Sequence, residues 1–274
     1  MDIYGIFGYP IAHSRSPQMH NRTFQKLGID AVYVPFLVDP NRLSEAVAAL
    51  RALNIRGVNI TIPHKEAVLK LLDELAPEAQ LIGAVNTIVN RGGHLVGHNT
   101  DCLGFMRSLQ HELNFAPKGK RILLLGAGGA GRAVTVGLAQ AGAAHITLFD
   151  RRETVCRHLI DEFAPRFEDT QFVCFSDDQT SLLGEMPNFD LLINATPVGM
   201  KGECWFDGKE SFLPPHVYDL VYSPQGTPLT RAAQSAGKRV VDGTGMLAAQ
   251  GEEAFFLWRG QYPPAGWMKQ CIRD

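Results

Sequence analysis

The sequence predicts an α/β protein made of two folding units, and two observations carry this prediction. Strand-like apolar stretches alternate with helix-like stretches along almost the whole chain, as in layered α/β proteins. A loop rich in proline, glycine and lysine, "NFAPKGK" at 114–120, separates two such series. The 274 residues are 45% hydrophobic and 20% charged, which provides the length and apolar content of two compact domains.

The first series combines strands, helices and one hairpin. The segment "VNITIPHKEAV" at 58–68 begins as a strand, and Pro63 suits the first position of a helix over "HKEAVLKLLDEL". That helix would place Lys65 in its first turn, where the unpaired N–H groups disfavour a cation. Gly92 and Gly93 supply the turn of a hairpin in "NTIVNRGGHLVGHNTD". The other predicted strands are "DIYGIFG" and "AVYVPFL", and the other predicted helices are "SPQMHNRTFQKLG", "NRLSEAVAALRAL" and "TDCLGFMRSLQHEL".

The second series predicts a doubly wound parallel sheet that binds a dinucleotide. In "RILLLGAGGAGRAVTVGLAQAG" a buried strand, a G-x-G-x-x-G turn and a helix follow one another, as in a Rossmann-type unit. Asp150 ends the next predicted strand, where a carboxylate binds the ribose 2′-hydroxyl of NAD, while Arg151 and Arg152 favour the 2′-phosphate of NADP. The cofactor-binding residues predicted from this unit are Gly126, Ala127, Gly128, Gly129, Ala130, Gly131, Asp150, Arg151 and Arg152.

After Asp242 the pattern changes to one strong helix, "GTGMLAAQGEEAFFLWRG". Its apolar residues predict that it returns to pack on the first domain. We therefore expect a discontinuous substrate-binding domain, 1–102 with 243–274, and a dinucleotide-binding domain over 103–242.

Composition narrows the partners to small molecules. The 26 basic and 28 acidic residues form no cationic run, so neither nucleic acid nor an anionic membrane is an expected partner. The five scattered cysteines and the separation of His94 from His98 by a hairpin predict no metal site. The N-terminal segment lacks the pattern of a signal peptide, and we expect a cytoplasmic protein. The oligomeric state, monomer or homodimer, stays open.

Several polar residues of the first series each have a structural explanation. Ser16 before Pro17 is a suitable helix N-cap, and Asp101 suits a helix N-terminus by its charge alone. If both helix N-termini face the cleft between the domains, Lys65 and Asp101 can pair as proton donor and acceptor. Together the polar groups suit a polyhydroxylated carboxylic acid as ligand: Ser14, Ser16, Asn59, Thr61, Lys65, Asn86, Asp101 and Gln250.

With these residues in place, the whole chain resembles the shikimate dehydrogenase family. The matching stretches include "FGYPIAHSRSPQMHN", "GVNITIPHKEAV", "GAVNTIV", "GHNTD", "GAGGAGRA", "INATPVGM", "YDLVYSPQGTPL" and "DGTGMLAAQ". The resemblance implies reversible reduction of 3-dehydroshikimate in aromatic amino-acid biosynthesis, with Lys65 and Asp101 as the catalytic pair. It also implies that Ser14, Ser16, Thr61, Asn86, Tyr222 and Gln250 contact substrate and that Thr196, Leu220 and Gly243 lie beside the nicotinamide.

The chain has Asp150-Arg151-Arg152 where the biosynthetic enzymes usually have Asn-Arg-Thr. The expected cofactor is NADP, given the family and Arg151, and NAD is expected to be accepted as well because of Asp150. Three alternatives remain at this point. A catabolic quinate/shikimate dehydrogenase would share nearly every motif, whereas a non-catalytic sensor would not need both Lys65 and Asp101. A methylenetetrahydrofolate dehydrogenase has a related plan, but its pterin site should favour aromatic groups.

Overall fold

A computed structural model describes residues 1–175, 179–206 and 208–273. The chain forms two compact units, one of Met1–Gly104 with Leu247–Asp274 and one of Phe105–Met246. Both points of division lie inside helices, Asp101–Ser108 and Thr244–Arg259. The loop at 114–120 therefore belongs to the second unit and does not divide the chain.

The first unit contains a mixed six-stranded sheet in the order β2-β1-β3-β5-β6-β4. Strands β1, β2 and β3 are parallel, and the hairpin of β5 and β6 turns at Gly92 and Gly93, as predicted. The strands are β1 (Asp2–Gly8), β2 (Ala31–Leu37), β3 (Gly57–Ile60), β4 (Glu74–Leu75), β5 (Thr87–Arg91) and β6 (His94–His98). The helices are α1 (Ser16–Lys26), α2 (Leu43–Ala52), α3 (Pro77–Ile82) and α4 (Asp101–Ser108).

The prediction of a helix over "HKEAVLKLLDEL" is wrong. Residues 61–68 form consecutive turns, Leu69–Leu71 form one turn of 3-10 helix, and β4 follows. The backbone of this stretch is used for pairing with other segments, because the Asp73 amide donates to the Leu95 carbonyl and the Val85 amide to the Lys65 carbonyl. Lys65 therefore lies in a turn, and the helix-dipole reason for its unusual position falls away.

The predicted return of the last segment to the first unit is confirmed. Helices α9 (Thr244–Arg259) and α10 (Trp267–Arg273) contribute to a buried cluster with β1 and α1. Phe255 packs in this cluster with Tyr4 and Phe24, and the Trp258 indole donates to the Ile88 carbonyl at 3.0 Å. The discontinuous chain thus closes one hydrophobic core.

The second unit contains the predicted doubly wound sheet. Its six strands are all parallel, in the order β12-β11-β10-β7-β8-β9, so the direction of winding reverses between β7 and β10. Helices lie between successive strands except between Asn194 and His216, where, among the described residues, Glu210–Phe212 form one turn of 3-10 helix. The strands are β7 (Arg121–Leu125), β8 (His145–Phe149), β9 (Gln171–Cys174), β10 (Leu191–Asn194), β11 (His216–Asp219) and β12 (Arg239–Val241). The helices are α5 (Gly129–Gln140), α6 (Glu153–Phe163), α7 (Gln179–Glu185) and α8 (Pro228–Ser235).

Candidate active site

A lysine–carboxylate pair lies in the first unit. The Lys65 Nζ donates to Asp101 Oδ2 at 2.5 Å, and the two side chains are 14% and 7% exposed. Lys65 is held by its own carbonyl, which accepts from the Val85 amide, while Asp101 begins α4. A cation and an anion at this distance stabilise each other, and the partial exposure of Lys65 leaves its ammonium accessible to a ligand.

Asn86 connects this pair to its surroundings. The Asn86 Nδ2 donates to Asp101 Oδ1 at 2.8 Å and to Thr100 Oγ1 at 2.9 Å, and it lies 3.5 Å from Gln250 Oε1. The Asn86 Oδ1 accepts from the Thr100 amide at 2.8 Å. Because a backbone amide can only donate, this bond fixes which end of the Asn86 side chain faces the carboxylate. Asp101 therefore receives donors on both oxygens.

Ser16 and Asp101 do not have the helix-terminal roles that the sequence suggested for them. Asp101 does not cap α4 with its own side chain, because the Asn99 Oδ1 accepts from the Asp101 amide at 3.0 Å and serves that end of the helix. Ser16 is the first residue of α1 rather than its N-cap, which is Arg15 and makes no side-chain capping bond. Both polar groups are consequently available for other contacts.

The remaining predicted substrate residues of this unit each have contacts of their own within the protein. Ser14 accepts from the Ser16 amide at 3.3 Å, and the Thr61 methyl group lies where a Cβ on Gly8 would contact it. Gln250 donates to the Leu247 carbonyl at 2.8 Å within α9. Asn59 is 4% exposed and uses its amide inside the protein, so its side chain is engaged by protein groups.

The glycine turn of the second unit has the geometry that a pyrophosphate requires. Gly126 follows β7 with φ +97°, which only glycine adopts without strain. A Cβ on Gly131 would lie 2.1 Å from the Gly126 carbonyl oxygen, so the third glycine permits close packing of helix against strand. A Cβ on Gly128 would meet nothing within 4 Å, which leaves this backbone open to a ligand at the N-terminus of α5. The motif residues thus fit a dinucleotide.

Asp150 lies just after β8, but its carboxylate is not free to turn away from the protein. Its Oδ2 accepts from the Ala127 amide at 3.1 Å, and its Oδ1 accepts from the Arg152 amide at 3.0 Å. The Arg152 Nε is 3.7 Å from Oδ1, with the Arg152 side chain 72% exposed. The glycine turn and the acidic residue therefore hold each other, and the exposed arginines extend beyond them.

The other predicted cofactor residues follow the carboxyl ends of β10, β11 and β12. Thr196 follows β10 and donates to Asn194 Oδ1 at 2.6 Å, and Leu220 follows β11. A Cβ on Gly243 would lie 2.0 Å from the Leu220 carbonyl oxygen, so this approach requires glycine. In doubly wound sheets, ligands bind at this edge beside the reversal of strand order. Tyr222 lies in the loop after β11, in the second unit.

Sequence reasoning missed four residues that support the pair: Tyr33, Thr87, Asn99 and Thr100. Tyr33 lies within the otherwise apolar strand β2, and Thr87 begins β5. Both residue types are common in strands and carry no functional signal of their own. Asn99 and Thr100 lie in "GHNTD", directly before Asp101. An amide and a hydroxyl beside a catalytic candidate were the available signal.

Each histidine of the hairpin lies against a glutamate carboxylate. His94 Nε2 is 3.2 Å from Glu74 Oε2, and His98 Nδ1 is 2.9 Å from Glu78 Oε1. Across residues 1–175, 179–206 and 208–273, no group of three or more His, Cys, Asp or Glu side chains is arranged to hold a metal ion. In the same part of the chain, every helix falls short of the length and apolar content that a membrane crossing requires.

A parallel sheet with a glycine turn beside its strand reversal, together with a paired lysine and aspartate, defines the class of dinucleotide-dependent dehydrogenases. The model of the "Shikimate dehydrogenase substrate binding domain" matches residues 6–88, and that of the "Shikimate 5'-dehydrogenase C-terminal domain" matches residues 243–271. A Geobacter metallireducens protein named "Shikimate dehydrogenase (NADP(+))" is 48% identical over 98% of this chain and 95% of its own length. The chain belongs to the shikimate dehydrogenase family.

Two solved structures resemble this protein over almost its whole length. Shikimate 5-dehydrogenase of Thermus thermophilus, in complex with NADP(H) and shikimate, is 35% identical with a TM-score of 0.85, covering 100% of this chain and 99% of that one. Quinate dehydrogenase of Corynebacterium glutamicum, in complex with NAD, is 33% identical with a TM-score of 0.87, covering 99% and 98%. The fold and the family are therefore the same across enzymes named for two different hydroxy acids.

Proposed function

We propose that this protein is a shikimate dehydrogenase, which reduces 3-dehydroshikimate reversibly to shikimate with NADPH in the pathway to aromatic amino acids. The observation that carries the proposal is the Lys65–Asp101 pair, held at 2.5 Å in a chain whose relative is named for this activity. A carbonyl oxygen must gain a proton when the carbonyl is reduced to an alcohol. A positioned ammonium group meets that need.

The nucleotide unit would hold the cofactor with residues of the glycine turn and of the strand ends that follow it. NADP supplies the hydride chemistry when it is bound. Lys65 donates a proton to the substrate oxygen in reduction and accepts it in oxidation. Asp101 stabilises the lysine cation between turnovers, and Asn86 keeps the carboxylate oriented towards it. The proposed cofactor residues are Gly126, Ala127, Gly128, Gly129, Ala130, Gly131, Asp150, Arg151, Arg152, Thr196, Leu220 and Gly243.

Substrate recognition in this proposal uses hydroxyl and amide groups, since shikimate carries three hydroxyls and one carboxylate. Each such group needs a hydrogen-bond partner when it leaves water. The partial exposure of Ser14 and Thr61 supports their assignment to substrate binding. The proposed contacts are Ser14, Ser16, Thr61, Asn86, Tyr222 and Gln250. Asn59, buried and bonded within the protein, is better suited to a supporting role.

The experiment that tests the proposal is a steady-state comparison of four substrate–cofactor pairs: shikimate and quinate, each with NADP and NAD. We expect the highest kcat/KM for shikimate with NADP, because the additional hydroxyl of quinate would need a partner in a site matched to shikimate. Comparable kcat/KM for the two acids would assign the protein to the quinate/shikimate enzymes. Absence of turnover with both acids, in protein that binds NADP, would overturn the proposal.

A further inference from the structure

A continuous series of hydrogen bonds leads through the core of the first unit to the Lys65–Asp101 pair. The Tyr33 hydroxyl donates to Asn59 Oδ1 at 2.7 Å, and Asn59 Nδ2 donates to Thr87 Oγ1 at 3.0 Å. The Thr87 hydroxyl then donates to Asn86 Oδ1 at 2.9 Å. Asn86 Nδ2 in turn donates to Asp101 Oδ1 at 2.8 Å. We refer to Tyr33, Asn59, Thr87 and Asn86 as the polar chain.

The direction of the polar chain is determined by its geometry. Thr87 has one hydroxyl proton, and its oxygen already accepts from Asn59, so the proton is available for Asn86 Oδ1. Asn59 Nδ2 also donates to the main-chain carbonyl oxygen of Asn86 at 3.2 Å, which gives the orientation of the Asn59 amide a second support. With its nitrogen so directed, the Asn59 Oδ1 must face the Tyr33 hydroxyl. Each amide is therefore held in a single orientation.

The first member of the polar chain is rigidly packed. The Tyr33 side chain is 1% exposed, and its ring stacks on His20 with centroids 4.5 Å apart and an angle of 8° between planes. The Ser16 side chain lies near the Tyr33 hydroxyl. Burial raises the pKa of Tyr33, so its hydroxyl stays protonated and acts as a donor. The polar chain thus begins beside a proposed substrate-binding serine.

We propose that Tyr33, Asn59 and Thr87 are positioning residues that, together with the Thr100 amide, hold the orientation of Asn86 and, through it, of the Asp101 carboxylate towards Lys65. The inference deepens the proposed function and rests on it. None of the three touches the pair, and each acts by leaving its neighbour one low-energy orientation. In a buried site, an amide that loses a partner either reorients or keeps an unpaired polar atom, and both outcomes move the next residue.

The decisive test compares Tyr33→Phe with Tyr4→Phe. Both tyrosines are buried in one hydrophobic cluster, but the Tyr4 hydroxyl accepts from Arg259 at 3.4 Å and lies outside the polar chain. We expect Tyr33→Phe to lower kcat for shikimate oxidation roughly fivefold to tenfold, the worth of about one hydrogen bond, with KM changed less than about twofold. Tyr4→Phe should leave both kinetic constants near the parent values.

A cycle with Asp101→Asn separates positioning from a general effect on packing. If Tyr33 acts through Asp101, then Tyr33→Phe should change kcat by less than about twofold in the Asp101→Asn background. Thr87→Val interrupts the same polar chain and should reproduce the loss, while Thr87→Ser keeps the hydroxyl and should restore kcat. Thr87→Val also provides the test if Tyr33→Phe does not fold.

Three results would overturn the inference while leaving the proposed function intact, because the parent enzyme would still turn over shikimate. These are equal kcat losses in Tyr33→Phe and Tyr4→Phe, full additivity with Asp101→Asn, and a normal kcat in Thr87→Val. Absence of shikimate turnover in the parent would instead remove the proposed function.

Discussion

The two candidate sites differ in what builds them: side chains in the first unit and the absence of side chains in the second. Around the Lys65–Asp101 pair, Asn86 makes bonds through both ends of its amide. In the glycine turn, the positions of Gly126 and Gly131 would not accept an ordinary Cβ. A site of the first kind should fail when a group is removed, and a site of the second kind should fail when one is added.

The largest expected effect comes from removing the lysine. Lys65→Ala should lower kcat by roughly a hundredfold or more, with KM changed much less, because a general acid/base acts in the transition state. Lys70→Ala, an exposed lysine on the same segment, is the matched control and should keep kcat. Asp101→Asn should act on the same step, so the double variant should lose far less than the product of the single losses. Independent losses would contradict a working pair.

Adding a methyl group should have different effects at two glycines of the turn. Gly131→Ala places a Cβ 2.1 Å from a backbone oxygen, so we expect loss of the helix–strand packing and a lower melting temperature of the second unit. Gly128→Ala has open space and a φ of −77°, so it should fold normally and weaken NADP binding roughly tenfold, since the methyl group enters the space left for phosphate. Thermal unfolding with and without NADP measures both. Unchanged NADP affinity in Gly128→Ala would place the phosphates elsewhere.

A fall in pH should change the stability of the two units in opposite directions. Burial lowers the pKa of His20 in the first unit from 6.5 to about 3, so its contribution to stability is fully present above pH 6.5 and is lost as the pH falls towards 3. Burial raises the pKa of Asp219 in the second unit from 3.8 to about 6, so its contribution is fully present below pH 3.8 and is lost as the pH rises through 6.

From pH 6.5 to 5, His20 alone should reduce the free energy of unfolding by about 2 kcal/mol, at about 1.4 kcal/mol for each pKa unit. Hydrogen exchange of each unit between pH 4 and 7 is the measurement. His20→Phe should flatten the slope in the first unit, and Asp219→Asn should flatten the opposite slope in the second. Slopes of one sign in both units would contradict the assignment.

The smallest expected effect concerns the choice between nicotinamide cofactors. The Asp150 carboxylate accepts two backbone amides, so it keeps its charge close to the glycine turn. Asp150→Asn should raise the ratio of kcat/KM for NADP over NAD roughly twofold to fivefold, less at high salt, because a screened repulsion is removed. Arg151→Ala should lower kcat/KM for NADP and leave that for NAD. An unchanged ratio in Asp150→Asn would show that the carboxylate does not face the 2′ position.

The parts of the fold that follow from local pattern were predictable. The glycine turn needs only its own strand and helix, and the parallel direction of the strands follows from the crossover connections. The stretch after Pro63 was not predictable, because its apolar residues have helical spacing while its Lys65 carbonyl and Asp73 amide pair with distant segments and its last residues form β4. Propensity gives way wherever tertiary pairing uses the same backbone groups. As a result, the position of Lys65 looked unusual in the sequence only because a helix was predicted there, whereas the residue lies in a turn.

The candidate site was predictable as a set of residues and not as a network. Residue type and order single out Lys65, Asn86 and Asp101, whose proximity the fold then supplies. Tyr33 could not be connected to Asn59, 26 residues away, because their bond depends on the register of parallel strands. Side-chain alternation gives the face of a strand but not the neighbour across it.

The interrupted course of the first unit has a consequence for synthesis on the ribosome. Residues 105–246 emerge as one uninterrupted stretch that holds every strand of the second sheet. The cluster around Tyr4 and Phe24 must wait for Phe255 and Met268, which are made more than two hundred residues later. Since domains fold as units during translation, the second unit folds first. The apolar face of the first unit stays accessible to chaperones until Phe255 and Met268 have been made.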